Sequence, residues 1–234
     1  MVFENAYCGD YDFLSSLAYD LKKEALSPLY IKVDDLLVII PVTAVTFILV
    51  NNDYYIRDKF ELNKSGTLDS ISNIDILGDG VYGLAGCALL SVIGGKKEKL
   101  VTRQIVESFV ETGLIVTAIK YLTGRHRPSF GDNLFIGPSI SEDSFPSGHT
   151  AVAFTVATVV GDAYDCPIIT YPIAALVGLS RIYKGAHWAS DVFVGATLGI
   201  LVGKLHKMDY EQMSVNMNLA YENGKTYCAV GCRW

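Results

Sequence analysis

The sequence predicts an all-α fold, a six-helix bundle with an extra segment before it and a short β-hairpin after it. Apolar runs of helix length alternate with glycine, proline, asparagine or charged residues through the middle of the chain. The first 34 residues are polar and mixed, and the last 20 alternate apolar with polar side chains. We therefore divide the chain into an N-terminal segment, 1–34, a helical domain, 35–208, and a hairpin, 209–234.

The helices are placed by where each apolar run begins and ends. Their predicted bounds are 36–50, 81–93, 104–119, 150–163, 168–183 and 188–205. Two long connections remain, 51–80 and 121–147. The second contains Gly131, Pro138 and Pro146, and a connection of that length inside a compact domain is usually functional.

The hairpin is predicted from its turn. Asn223-Gly224 is a strong signal for a two-residue type I′ turn, and apolar residues recur at every second position around it. Pairing about this turn creates one face that we expect to pack on the helices. That face holds Val215, Met217, Leu219, Tyr221, Thr226, Cys228, Val230, Cys232 and Trp234. Two of its cysteines, Cys228 and Cys232, lie roughly 13 Å apart on one strand, which is too far for a disulfide.

Composition narrows the possible functions. Charged residues make up 19% of the chain, below the roughly 25% of soluble domains, and apolar residues make up 50%, which favours membrane contact. The net charge of −6 disfavours nucleic acid as a partner, because polyanion binders need a broad cationic surface. The five cysteines show neither a disulfide framework nor the C-x-x-C spacing of a zinc site.

Alternating helix directions would bring three distant parts of the sequence to one end of the bundle. One helix ends shortly before the basic turn GRHRP, the next begins after FPSGH, and the last two meet at the stretch SRIYKGAHWASD. The polar residues collected at that end are Lys120, Arg127, Ser147, His149, Arg181, His187 and Asp191.

These residue types suit a phosphate group. The lysine and two arginines supply positive charge, and arginine matches phosphate oxygens with two parallel N–H donors. Ser147 stands at an N-cap position, and Gly148 lets backbone N–H groups of a helix N-terminus approach an anion. His187 and Asp191 share a helix face, so the carboxylate can hold one ring nitrogen while the other faces the pocket. With His149 available for proton transfer, the set can transfer a phosphoryl group through a phosphohistidine.

At these positions the chain resembles the type 2 phosphatidic acid phosphatase (PAP2) superfamily, whose signature is K-x6-RP, PSGH and SR-x5-H-x3-D. The three parts read Lys120-YLTGRH-Arg127-Pro128, Pro146-Ser147-Gly148-His149 and Ser180-Arg181-IYKGA-His187-WAS-Asp191. Order and spacing match throughout, and the resemblance extends over about 75–205.

The resemblance implies a fold and a division of roles. It implies a six-helix core and metal-independent hydrolysis of a phosphomonoester or diphosphate, with no cofactor and a phosphorylated lipid as the expected substrate. His187 would be the nucleophile, oriented by Asp191, and His149 the acid that protonates the leaving group. Phosphate would be bound by Lys120, Arg127, Ser147, Gly148 and Arg181.

Three other functions stay open at this point. A vanadate-dependent haloperoxidase resembles the same motifs, although members of that class are generally much longer. A soluble acid phosphatase for small phosphoesters would use the same residues. A non-enzymatic membrane or binding protein would need only the helices, and the histidines, arginines and Asp191 would then have no use.

Some charged residues have simpler interpretations. Arg125 and His126 occupy variable positions of the first motif, where surface contact is more common than chemistry. Lys184 and Lys204 are predicted to be solvated cations at helix ends. Two histidines could hold zinc, but the three cations beside them would repel a divalent metal, so no metal is expected.

Location is predicted from hydropathy and charge. The apolar runs are shorter than the roughly 20 residues of a spanning helix, so a soluble bundle and a partly embedded one both fit, and we expect membrane association. Positive charge marks the cytoplasmic side, so the site would face the periplasm or exterior at the cell envelope, with a soluble periplasmic protein as the alternative. The edge opposite the pocket carries Lys96, Lys97, Lys99, Arg103, Lys204 and Lys207.

Overall fold

The computed structural model describes the backbone of residues 33–205, 215–222 and 225–232. This part of the chain is mostly helical, and the predicted fold class is confirmed. The α-helices are α1 (Val33–Leu62), α2 (Gly66–Ser72), α3 (Gly80–Ile93), α4 (Lys96–Thr123), α5 (Gly148–Tyr164), α6 (Pro167–Tyr183) and α7 (Ala189–Leu205). Two 3-10 helices cover Asn73–Gly78 and Pro128–Phe130, and the strands are β1 (Val215–Glu222) and β2 (Lys225–Cys232).

The first helix is longer than predicted. The polar run Asn51-Asn52-Asp53 resembles a helix end, yet α1 continues to Leu62, so the predicted connection over 51–80 is wrong in its first part. The Asn51 and Asn52 amides donate to backbone carbonyl groups four residues earlier, and Asp53 is buried against the bundle. These polar residues continue the helix because each of them finds a hydrogen-bond partner.

Helices α5 and α7 pack closely through glycines of α7. A Cβ atom on Gly195 would lie 2.5 Å from the carbonyl oxygen of Ser147, and one on Gly203 would lie 2.8 Å from Cβ of Thr158. A larger residue at either position would push the two backbones apart. The packing therefore places the beginning of α7 beside the beginning of α5, where two of the three motifs lie.

The apolar core is formed by small and branched side chains. One cluster between α3, α4 and α5 consists of Cys87, Val101, Ile105, Val159 and Ala163. A second, between α5 and α6, consists of Ala153, Ala157, Ala174 and Val177. These clusters join α4, α5 and α6 at fixed distances, so the polar residues at their ends are held in place.

The two strands pair antiparallel. Met217 is opposite Val230 and Leu219 is opposite Cys228, the register that a turn at Asn223-Gly224 predicts. The turn itself, the side chains of the hairpin and residues 1–32 lie outside the described residues. The packing of the hairpin face on the helices and the division into three regions therefore stay predictions.

Candidate active site

A cavity of about 400 Å³ lies where α4 ends and α5 begins. Its walls include six of the eight residues predicted for the site: Lys120, Arg127, Gly148, His149, Arg181 and His187. The other two, Ser147 and Asp191, are fully buried and do not line it. The alternating helices thus bring the three motifs together around one space.

His187 lies in the turn between α6 and α7, where only 3% of it is exposed. Its Nδ1 atom is 2.8 Å from the carbonyl oxygen of Ser144. Since a carbonyl only accepts hydrogen bonds, Nδ1 carries the proton and the lone pair of the neutral ring is on Nε2. The sequence predicts that the Asp191 carboxylate holds one ring nitrogen, but its Oδ2 is 3.6 Å from Nδ1, longer than a hydrogen bond. The Ser144 carbonyl therefore orients the ring, and Asp191 adds a nearby negative charge.

The surroundings of His187 favour its neutral form. Burial lowers the pKa of the imidazole below its ordinary value of 6.5. The Asp191 carboxylate opposes this effect, while the positive charges of Lys120 and Arg127 add to it. A neutral imidazole keeps the lone pair that a nucleophile needs.

Asp191 lies in the first turn of α7 and accepts hydrogen bonds from three donors. Arg125 Nη1 donates to Oδ1 at 2.5 Å, while the Ser144 hydroxyl, at 2.6 Å, and the backbone N–H of Trp188, at 2.9 Å, donate to Oδ2. Because all three groups are donors, the site is built for the ionised carboxylate.

Two cations of the cavity share one carboxylate that sequence reasoning missed. Arg127 donates from Nε and Nη2 to the two oxygens of Asp143, at 2.8 and 2.9 Å. Lys120 donates to the backbone carbonyl of Asp143, and its Nζ lies 3.7 Å from the carboxylate. Burial tends to raise the pKa of Asp143, but the Arg127 hydrogen bonds and the Lys120 charge outweigh it and hold this pKa below the ordinary value. The only sequence signal for Asp143 is its position in the long loop, three residues before PSGH.

The third cation, Arg181, is paired with Asp75 of the first 3-10 helix, at 2.5 Å. Lys184, an exposed residue at the end of α6 as predicted, binds the same carboxylate at 2.8 Å, a partner that the sequence did not indicate. The Lys184 ammonium reaches Asp75 because this carboxylate lies beside the end of α6. Burial tends to raise the pKa of Asp75, but the donors on Lys184 and Arg181 outweigh it and lower this pKa.

The beginning of α5 supplies the remaining predicted residues. His149 lines the cavity and also a neighbouring polar recess of about 310 Å³ beside Asn73 and Asp75. Ser147 occupies the N-cap position as predicted, but its hydroxyl pairs with that of Thr150 at 2.9 Å and caps no backbone N–H. Gly148, the first residue of α5, brings backbone without a side chain to the cavity wall.

Comparison with known proteins agrees with this geometry. The model of the PAP2 superfamily matches residues 102–212. Decaprenylphosphoryl-5-phosphoribose phosphatase of Mycobacterium tuberculosis is 31% identical over 147 residues, which are 62% of this chain and 81% of that protein. The chain belongs to the PAP2 superfamily. The resemblance inferred from the three motifs is confirmed.

Other PAP2 relatives match over shorter or less similar stretches. Lipid A 1-phosphatase of Porphyromonas gingivalis is 42% identical over 98 residues, which are 40% of this chain, and the chain spans 20% of that relative. The crystal structure of Aquifex aeolicus LpxE superposes with a TM-score of 0.55 at 28% identity. That superposition covers 66% of this chain and 93% of LpxE.

In this PAP2 protein one of the two variable positions of the first motif, Arg125, differs from the prediction. Arg125 is fully buried and binds Asp53 and Asp191, so it is not a surface residue. It is drawn inward because two carboxylates from different helices face it. His126 lies nearer the surface, and its Nδ1 is 2.6 Å from Asp132.

One helix in the described part of this PAP2 protein is long and apolar enough to cross a membrane. It covers Leu36–Leu62. Its most apolar 18-residue stretch has a mean hydropathy of 1.8, and 6% of that stretch is buried in the protein. The prediction that every apolar run is too short was wrong here, because polar residues continue the helix beyond 50.

Proposed function

We propose that this PAP2 protein is a metal-independent phosphatase that acts on a phosphorylated lipid through a phosphohistidine at His187. The observation that carries the proposal is the position of the Nε2 lone pair. Nδ1 is occupied by the Ser144 carbonyl, so Nε2 is the ring nitrogen left for the cavity that Lys120, Arg127 and Arg181 also line. A nucleophile beside three cations suits attack on a phosphate group.

The first half-reaction forms the covalent intermediate. Nε2 of His187 attacks phosphorus, and the bond from phosphorus to the leaving oxygen breaks. Protonated His149 gives its proton to that oxygen, so the alcohol or lipid phosphate leaves neutral at that atom. The ring becomes cationic, keeps its Nδ1–H on the Ser144 carbonyl, and is stabilised by the Asp191 carboxylate 3.6 Å away.

The second half-reaction returns the enzyme to its starting state. Water attacks phosphorus, the bond between nitrogen and phosphorus breaks, and neutral His149 takes a proton from the water. Inorganic phosphate leaves with the oxygen that the water supplied. His187 is neutral again and His149 is protonated for the next substrate.

Charge balance supports a reaction without a metal. Without substrate, the cations that line the cavity are paired with Asp143 and Asp75. Phosphate competes with these two carboxylates for the guanidinium groups and the Lys120 ammonium. Three fixed cations can balance the charge that spreads over the phosphoryl oxygens in the transition state, which is the task that a metal performs elsewhere.

A lipid substrate is supported by the relatives and by α1. The relatives described above are named for lipid A and for a decaprenyl-linked sugar phosphate. Helix α1 is long and apolar enough to hold the chain in the membrane that contains such substrates. We therefore place this protein at the membrane, with its cavity facing the headgroups.

We further propose that the cavity faces the periplasm or the exterior. Four basic residues, Lys96, Lys97, Lys99 and Arg103, lie in the first turns of α4, at the opposite end from Lys120. Lys204 lies in the last turn of α7, also away from the cavity. Such clusters are typical of the cytoplasmic side. Lys207, counted with them in the sequence, lies outside the described residues.

The test is turnover by the detergent-solubilised full chain in excess chelator. We expect hydrolysis of lipid A 1-phosphate, phosphatidate or an isoprenyl diphosphate, and inhibition by orthovanadate, which mimics five-coordinate phosphorus. A phosphoenzyme trapped in alkaline denaturant should map to His187 and be missing in His187→Gln. Loss of activity in chelator with recovery on adding a divalent ion would overturn metal independence. Preference for small soluble phosphoesters would overturn the lipid assignment, and halide oxidation with bound vanadate would indicate a haloperoxidase.

A further inference from the structure

We propose that Asp53 and Arg125 form a positioning unit that holds Asp191 and sets the charge around His187, so that α1 is a working part of the site. The inference rests on the proposed function only in taking His187 as the reacting residue. Neither Asp53 nor Arg125 lines the cavity, so both act through Asp191.

The Arg125 guanidinium joins two carboxylates that come from different helices. Its Nη2 donates to Oδ2 of Asp53 on α1 at 2.7 Å, and its Nη1 donates to Oδ1 of Asp191 on α7 at 2.5 Å. The side chains of all three residues are fully buried. Any displacement of Asp53 is therefore transmitted to Asp191 through one rigid, planar group.

Asp53 also binds the first turn of α7 directly. The backbone N–H of Ser190 donates to its Oδ1 at 3.0 Å, and the Ser190 hydroxyl donates to its Oδ2 at 2.6 Å. The same hydroxyl accepts from Arg125 Nη1 at 2.6 Å. An α1 carboxylate thus satisfies an N–H of the α7 N-terminus that has no partner within the helix. The turn that carries Asp191 is fixed from two directions.

Aromatic rings keep water away from this cluster. The Arg125 guanidinium carbon lies 4.6 Å from the centre of the Phe135 ring and 5.6 Å from that of Trp188. Tyr54 of α1 packs edge-on against Trp188, with ring centres 5.3 Å apart. In surroundings this dry, charges interact far more strongly than they do in water.

The net charge of the unit explains why two carboxylates are buried with one arginine. Arg125 and Asp191 alone would form a neutral pair, which would offer little to a cationic phosphohistidine. Asp53 adds a second negative charge, so the unit carries −1 beside His187. The other charged or titratable groups around His187 are Lys120 on α4, His149 on α5, Arg181 on α6, and Arg127 and Asp143 on the long loop. Of the two carboxylates near His187, Asp143 lines the cavity and Asp191 does not.

Stability alone is a weak explanation for such a cluster. Removing three ionised side chains from water costs so much that apolar residues of similar size often give an equally stable protein. The cluster instead fixes the position of the Asp191 carboxylate and sets the charge around it. Both properties matter for catalysis.

The test measures the titration of the His187 ring by NMR in the full chain with labelled histidine, in four proteins. They are the wild type, D53N, R125Q and the double variant D53N/R125Q. D53N removes a negative charge, so the His187 midpoint should fall by roughly one pH unit. R125Q removes a positive charge, so the midpoint should rise. The double variant restores the unit to −1, so its midpoint should return to within a few tenths of the wild-type value.

Turnover should follow the same order. We expect kcat to fall about 10- to 100-fold in D53N and in R125Q, because displacement of Asp191 misplaces the ring. KM should change less than about twofold, because neither residue contacts the substrate. The acid limb of kcat/KM should move in the same direction as the NMR midpoint.

The matched control is R103Q, which removes a partly exposed ion pair with Glu107 on α4, roughly 25 Å along the helix from Lys120. R103Q should change neither the midpoint nor kcat. Thermal unfolding is recorded for each variant, and R125Q is compared with the double variant because R125Q leaves two carboxylates facing each other.

Two outcomes separate this inference from the proposed function. If the midpoint and kcat per folded molecule stay at wild-type values while only the melting temperature falls, Asp53 and Arg125 are structural and the inference is overturned. If the midpoints shift as expected but the wild type forms no phosphoenzyme, the positioning unit stands and the proposed function fails.

Discussion

His187 and Ser144 are joined by a hydrogen bond from Nδ1 to the backbone carbonyl oxygen, at 2.8 Å. Ser144 follows Asp143, the carboxylate that binds Arg127 and lies beside Lys120. One short stretch of the long loop therefore orients the His187 ring, the proposed nucleophile, with its backbone, and its Asp143 side chain pairs with two cations of the cavity. We therefore expect a change in this stretch to disturb both the His187 ring and the paired cations.

The pH dependence should follow the lowered pKa of His187. Above that pKa the ring is neutral and can attack, and below it the ring takes a proton and loses the lone pair. The acid limb of kcat/KM for a nitrophenyl ester should therefore lie below pH 6.5, the ordinary value for histidine. The substrate phosphate titrates near 6, so its ionisation is measured separately and divided out. An acid limb above pH 6.5 after that correction would contradict the buried environment.

The two histidines should respond differently to the leaving group. His149→Ala should lose about 10²- to 10⁴-fold in kcat on an alkyl phosphate, whose basic alkoxide needs a proton. It should lose much less on a nitrophenyl phosphate, whose phenolate leaves without help. His187→Ala should be inactive on both, because it has no nucleophile. Equal rescue of both variants by the better leaving group would show that acid and nucleophile are assigned in the wrong order.

Removing the Asp143 carboxylate should tighten phosphate binding. Asp143→Asn keeps the shape of the side chain and frees Arg127 and Lys120, so orthovanadate should bind about two- to fivefold more tightly. The effect is modest because the pair is partly exposed and screened. The matched control is Asp132→Asn, which changes a carboxylate of the same loop that pairs with His126. Weaker vanadate binding in Asp143→Asn would mean that Asp143 supports the ligand and does not compete with it.

Arg181 and Lys184 should differ although they share Asp75. Arg181 lines the cavity, so Arg181→Ala should weaken vanadate binding about 10- to 100-fold, as expected for losing a charged hydrogen-bond donor. Lys184→Ala should weaken it only about two- to fivefold, because Asp75 then holds Arg181 more tightly. Calorimetric titration of the two variants measures this difference. Equal losses would place the Lys184 ammonium at the phosphate.

The proposed orientation makes a labelling prediction. In a cysteine-free chain in intact cells, a cysteine at Ile140, which is 95% exposed on the long loop, should react with a membrane-impermeant maleimide. A cysteine at Lys99, near the beginning of α4, should react only after the cells are opened. The reverse pattern would place the cavity on the cytoplasmic side, and reaction at both positions in intact cells would contradict a membrane orientation.

Local spacing was enough to predict six of the residues that line the cavity. The residue spacing within the motifs at Lys120, His149 and His187 matches the family signature. The alternating directions of the helices then bring the three motifs to one end of the bundle. The helices that connect the motifs can be predicted from hydrophobic periodicity, because each helix buries one face and its apolar residues recur at helical intervals. The family, the helical fold and the position of most candidate site residues therefore followed from the sequence.

The partners of those residues were decided by the tertiary structure alone. Asp53 binds Arg125 across 72 positions of sequence, and Asp75 binds Arg181 across 106. A charged residue in a sequence carries no sign of whether it will be buried, and the polar run at Asp53 has the same local pattern as a helix end. No sequence pattern indicates that the Ser144 carbonyl binds His187, because every residue has a backbone carbonyl group. Burial, pairing and backbone contacts depend on which surfaces meet after folding, and that information is spread over the whole chain.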